Sequence, residues 1–132
     1  MDAAKLHPPH LATLVSKLVD VYPPSADYPS GFAVNLTDGI RRARYRDDRK
    51  QGALLELGRV YAFEIDPYDT ANVFKKGHRL RLDISSSNFP RFDVNPNTGE
   101  PLGLNHRTRT ADNTVYYGAR SASRLTVWVQ GN

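Results

Sequence analysis

No cysteine occurs in the 132 residues of the chain. Disulfides, thiolate metal ligands and cysteine nucleophiles are therefore excluded, and the fold must be held by burial and hydrogen bonding. The absence favours a reducing, cytoplasmic compartment. Long apolar runs are also missing. Nothing approaches the roughly 20 residues that a membrane-spanning helix requires, and the opening MDAAKLHPPH has no apolar signal core. No membrane partner is expected. Sustained helical periodicity is scarce, and neither an internal repeat nor a low-complexity segment is evident.

What is present is a chain of one-domain length, 39% hydrophobic and 24% charged. Its net charge of +4 comes from 18 Lys and Arg against 14 Asp and Glu. The densest basic stretch, IRRARYRDDRK (40–50), places Arg41, Arg42, Arg44, Arg46 and Arg49 around Tyr45. A phosphate-tracking patch would look like this. Asp47 and Asp48 interrupt the run, however, and the rest of the chain is nearly balanced. The cluster reads as a strand with long side chains laid over the surface, and no nucleic-acid partner is expected.

Alternation of apolar and polar residues is the dominant pattern. In HRLRLDIS, His78, Leu80, Leu82 and Ile84 oppose Arg79, Arg81, Asp83 and Ser85. RVYAFEID (59–66) and SRLTVWV (123–129) alternate in the same way. TLVSKLVDVY (13–22), IRRARY (40–45) and NTVYYG (113–118) are weaker strand candidates. Pro and Gly punctuate the intervals, and DPYDTANVF (66–74) offers a helical turn capped by Asp69 or Thr70. Six short strands between breakers predict an antiparallel sandwich or barrel over 13–132. Residues 1–12 read as a flexible leader.

The chemistry-bearing motifs are incomplete. Ser85, Ser86 and Ser87 end a strand but lack the flanking glycines and the following helix of a nucleophile elbow. A triad would have to recruit His78 or His106, yet His78 shares the parity of the apolar face and reads as a packed, hydrogen-bonded histidine. Asp93, Asn95 and Asn97 have the alternate spacing of calcium-loop ligands. The sixth position is Thr98 rather than glycine, with Gly99 one place late, and the twelfth is Leu104 rather than glutamate. Consecutive turns built by Asn, Asp, Pro and Gly explain the tract better. His7 and His10 straddle two prolines and do not form a helical zinc pair. The sequon at Asn35, Leu36 and Thr37 matters only in a secreted eukaryotic protein. Trp128, on the more polar side of its strand, and the seven tyrosines would offer a platform for a sugar, although aromatic residues at strand spacing are usually packing. No metal or cofactor is expected.

Taken in order, KLVDVYP (17–23), NLTDGIRRARYRD (35–47), GRVYAFEID (58–66), NVFKKGHRLRLDISSSNFPRFDVNPNTGE (72–100) and SRLTVWV (123–129) resemble one family. It is the C-terminal jelly-roll domain of the X-Pro dipeptidyl-peptidase and cocaine-esterase class of serine hydrolases, which includes α-amino acid ester hydrolases and glutaryl-cephalosporin acylases. The resemblance runs from residue 14 to 129 and is most specific from Lys76 to Gly99. It implies an all-β, antiparallel jelly-roll sandwich of the galactose-binding-domain-like kind. It also implies a non-catalytic role, because in that family the nucleophile, acid and base lie in a preceding α/β-hydrolase domain, against which the jelly roll packs in cis to wall the substrate cleft. No catalytic residue carries over. The candidate domain-interface or cleft loop comprises Ser87, Asn88, Phe89, Arg91, Asp93, Asn95 and Asn97.

Family jelly rolls have additional strands where this chain has its short leader, so a fragment or a free-standing relative is expected. A sandwich short of its first strands exposes edges and apolar surface, which predicts a homo-oligomer. The alternative is a free-standing carbohydrate- or ligand-binding β-sandwich.

Overall fold

The computed structural model describes residues 12–56, 58–101, 103–120 and 122–130. Three strands form one antiparallel sheet: β1 (Thr13–Tyr22), β2 (Phe32–Arg42) and β3 (Arg79–Ser85), in the spatial order β2-β1-β3. No α-helix occurs among the described residues, and the chain is all-β.

Register explains which residues share a face. On the β3 side, Ser16, Leu18 and Asp20 lie opposite Ile84, Leu82 and Leu80, while Val15, Lys17 and Val19 lie opposite Ser85, Asp83 and Arg81. On the β2 side, Ser16 faces Gly39 and Lys17 faces Asp38. The register then slips: Leu18 is opposite Thr37 but Val19 is opposite Asn35, so Leu36 is an extra residue and β2 is bulged there. As the middle strand, β1 is covered on both faces, and Val15 and Val19 on one side and Ser16 and Asp20 on the other are all buried.

The segment after β2 dresses one face of the sheet. A 3-10 turn (Ala43–Tyr45) ends β2, and the Ala43 N–H donates to the Ala12 carbonyl at 2.8 Å. Ala12, Ala43 and Leu55 form a small buried cluster against which Tyr61 and Phe63 pack. Two residues on, Ile65 to Pro67 pass so close to Gly39 that a β-carbon there would meet the Pro67 Cα at 2.9 Å and the Asp66 carbonyl at 3.1 Å. The Tyr68 N–H then donates to the Asp38 carbonyl at 3.3 Å and the Tyr68 carbonyl accepts from the Thr37 hydroxyl at 2.6 Å, before Asn72 reaches Asp20.

Several expected elements differ. Only Ile40–Arg42 of the predicted IRRARY strand is extended, as the end of a strand that begins at Phe32; the 3-10 turn takes the remainder. In 59–66 the alternation is real, with Tyr61, Phe63 and Ile65 turned inward, but no strand ladder forms. Nor do 113–118 and 123–129 form strands, and Trp128 and Val129 are almost fully exposed. Alternation fits a residue to a pleated surface, whereas a strand also needs a neighbour's backbone, and beyond an isolated bridge at Gly118 these segments form no ladder among the described residues. The helical turn predicted in 66–74 is absent because that backbone is bonded to the edge of β2 instead. Of the predicted leader, residues 1–11, including His7 and His10, lie outside the described residues.

Candidate functional site

The corner that follows β3 is organised by a carboxylate that lies fifty residues earlier in the chain. Asp38 sits on β2 with its side chain only 6% exposed. A charge so placed must be partnered, and the corner supplies the donors: Arg91 Nε at 2.8 Å from Oδ1 and Asn88 Nδ2 at 3.3 Å from Oδ2. The Arg91 guanidinium also lies over the rings of Tyr68 and Phe92, at 5.5 and 5.6 Å from their centroids. Between these two donors, the Phe92 N–H donates to the Asn88 carbonyl at 3.1 Å, closing a turn around the cis Phe89–Pro90 peptide. Phe89 is left at the tip, 71% exposed.

The serines are occupied by local structure. Ser85 Oγ donates to the Ser87 carbonyl at 2.8 Å, and Ser86 Oγ accepts from Asn113 Nδ2 at 3.1 Å. His78 precedes the opposite end of β3, roughly 20 Å from them along an extended strand. Its Nδ1 instead lies 2.9 and 3.1 Å from the two oxygens of Asp20, whose second partner is Asn72 at 3.0 Å. The expected packed, hydrogen-bonded histidine is the one observed, and His78 and Asp20 are both buried.

Beyond Arg91 the tract makes consecutive turns. Asn95 Oδ1 accepts the N–H of Asn97, which adopts a φ of 58°, and Asn95 Nδ2 donates to Thr13 Oγ1 on β1. Asn97 Nδ2 donates to the Arg109 carbonyl, and the Arg109 N–H donates to the Pro96 carbonyl. Further on, the Thr98 hydroxyl donates to Glu100 and holds its carboxyl below the usual range; Arg107 assists and partial desolvation opposes. Of the seven candidate residues, Asn88 and Arg91 therefore converge on Asp38, and Asn95 and Asn97 build the next turn. Ser87 contributes a carbonyl, while Phe89 and Asp93 are exposed.

Two clefts flank the sheet. A polar one of about 280 Å³ lies between the bulged part of β2 and the corner, lined by Asn35, Thr37, Asp38, Tyr68, Asp69 and Arg91. An aromatic one of about 330 Å³ is lined by Tyr22, Pro23, Ser25, Tyr28, Phe32 and His78. Asp38 and Tyr68 were not among the sequence candidates. Asp38 lies two residues before the strand expected at 40–45, and Tyr68 falls in the expected helical turn of 66–74, so neither carried a local signal.

Arginine 46 departs from the surface-laid reading of the basic stretch. It donates to the carbonyls of Ala43 and Ala53, at 3.2 and 2.9 Å, with its guanidinium 4.8 Å from the centroid of Tyr61. It clamps the connection between β2 and the Tyr61 segment rather than offering its charge to a phosphate.

The comparisons agree with the all-β reading. Residues 8–126 match the family described as the X-Pro dipeptidyl-peptidase C-terminal non-catalytic domain, and the chain belongs to that family of β-sandwich domains. It is similar to a cocaine esterase of Rhodococcus sp. (strain MB1 Bresler), with 40% identity over 112 residues. That match takes in 83% of this chain but only 18% of the length of the relative.

Proposed function

We propose that the chain serves as the accessory domain of an acyl or peptidyl serine hydrolase, packing on an α/β-hydrolase catalytic domain and shaping its substrate cleft. The observation that carries this reading is the corner itself. Asp38, Asn88 and Arg91 fix a turn whose outward tip is an apolar ring, Phe89. A rigid loop with an exposed aromatic tip suits a wall that excludes water and orients a substrate. In a hydrolase carrying this domain, Phe89→Ala is expected to raise KM for an ester or X-Pro substrate while leaving kcat within about twofold, since uniform binding is what a wall supplies. An unchanged KM refutes the cleft role. The chain by itself is expected to turn over neither aryl esters nor X-Pro substrates, and labelling of Ser85, Ser86 or Ser87 by a serine-directed reagent would count against the assignment.

A second reading, a carbohydrate-binding sandwich, draws on Trp128, a residue 99% exposed. It requires glycan-dependent quenching of the single tryptophan.

A further inference from the structure

One end of the sheet gathers four rings. Tyr22 closes β1 directly opposite Phe32, the first residue of β2. His78 stands on the other side of Tyr22, one residue before Arg79, which lies opposite Val21. The ring centroids of Tyr22 and Phe32 are 5.9 Å apart, edge to face, and those of Tyr22 and His78 are 4.1 Å apart. The turn between β1 and β2 brings in Tyr28, stacked on Phe32 at 4.9 Å. That turn is tied to itself: Ser25 Oγ accepts from the Tyr28 N–H at 3.1 Å, and the Tyr28 carbonyl accepts from the N–H groups of Ser25 and Gly31 at 3.0 and 2.9 Å. Together these rings wall the aromatic cleft of about 330 Å³.

One polar atom at this cleft has no partner among the described residues. His78 Nδ1 lies 2.9 and 3.1 Å from the two oxygens of Asp20, and because a carboxylate only accepts, Nδ1 carries the proton. Nε2 of the neutral imidazole is then an acceptor. No described residue donates to it, and although the side chain is only 7% exposed, Nε2 is not sealed from solvent. Asp20, 1% exposed and bonded to Asn72 as well, fixes the tautomer and the orientation of the ring. We propose that the cleft binds a small free phenol, its hydroxyl donating to His78 Nε2 and its ring lying against Tyr22, Tyr28 and Phe32. The volume is at the lower end for ligand clefts and suits a single ring. Aromatic walls favour an aromatic ligand through edge-to-face and offset contacts, and a lone acceptor calls for one donor. A tyrosine on a docked peptide fits less well, since a peptide also needs main-chain partners. Pro23 and Pro24 have no N–H to give, and those of Ser25, Tyr28 and Gly31 are already bonded within the turn. The proposal goes beyond the accessory role and does not depend on it.

Calorimetry of the full chain with p-cresol tests this. One equivalent is expected to bind with a submillimolar Kd, no more weakly than p-xylene, which has the same shape and no donor. A hydroxyl buried without an acceptor would instead leave p-cresol at least about fivefold weaker than p-xylene. In nitrogen-resolved NMR, p-cresol is expected to move the His78 Nε2 resonance and leave Nδ1 nearly still. Tyr28→Ala, at a residue 53% exposed, should weaken p-cresol by about fivefold or more while the urea midpoint stays put. The comparison of ligands on the unmodified chain stands whether or not that variant folds. Absence of p-cresol binding, a fivefold preference for p-xylene, an unmoved Nε2 resonance, or tighter binding of N-acetyltyrosinamide than of p-cresol would overturn the proposal.

Discussion

Arg91→Ala is the sharpest test of how the corner is built. Its removal leaves the Asp38 carboxylate, 6% exposed, with Asn88 at 3.3 Å as its remaining side-chain donor. Breaking a fully buried pair costs about 3–5 kcal/mol, whereas exposed pairs contribute less than about 1 kcal/mol. The Arg91 side chain is 54% exposed, so water enters where the guanidinium was and the loss should be about 2 kcal/mol. Asp38→Asn behaves differently: it strands no buried charge, since Arg91 still reaches solvent, and should cost about 1 kcal/mol. The double variant should then be little worse than Asp38→Asn, giving a coupling of about 1 kcal/mol or more. Urea unfolding of the four proteins, analysed by linear extrapolation with unchanged slopes, measures all three quantities. Equal losses for Arg91→Ala and Asp38→Asn, or additivity of the two, would refute the idea that a buried Asp38 charge organises the loop.

Asp20→Ala should be more damaging, by about 3 kcal/mol or more, because Asp20 and its partner His78 are both buried and Asn72 loses its acceptor as well; the shift in urea midpoint reads it. Gly39→Ala should cost about 1–3 kcal/mol by overpacking, since the new methyl would meet backbone atoms of Asp66 and Pro67 rather than a yielding side chain; a lowered melting temperature checks this. Glu100 titrates in the folded chain below its ordinary value of 4.5. Its contribution to stability is therefore complete above that value and is lost as pH falls through the depressed folded one, so Glu100→Gln should flatten the acid limb of the stability profile and leave the neutral region nearly unchanged.

Strand β3 was legible because it is an edge strand with one polar and one apolar row, so its side chains report the pleat directly. The middle strand β1 was harder to read for the opposite reason. With both faces covered, it places Ser16 and Asp20 inside as readily as Val15 and Val19, and no clean alternation survives. The start of β2 at Phe32 was hidden by the bulge at Leu36, which shifts the parity halfway along. His78 was read correctly because its parity placed it on the Asp20 face. The anchoring of Asn88 and Arg91 had no local signal, since their acceptor is 50 and 53 residues away. Composition marked the corner as shaped but could not say that Asn88 and Arg91 are bonded to a buried carboxylate.

That anchoring changes what the corner can present to a partner. Donors already bonded to a buried carboxylate are poor recognition groups, because engaging a ligand would strip Asp38 of its partners at about the cost worked out above for Arg91. The groups left over include the ring of Phe89, the side chain of Val94 and the exposed carboxylate of Asp93. Contact made by this corner should therefore be chiefly apolar at the tip, with the polar residues acting as scaffolding beneath it. A loop that looks polar in sequence thus exposes a hydrophobic point, and the asparagine and arginine bonded to Asp38 are what hold that point in place.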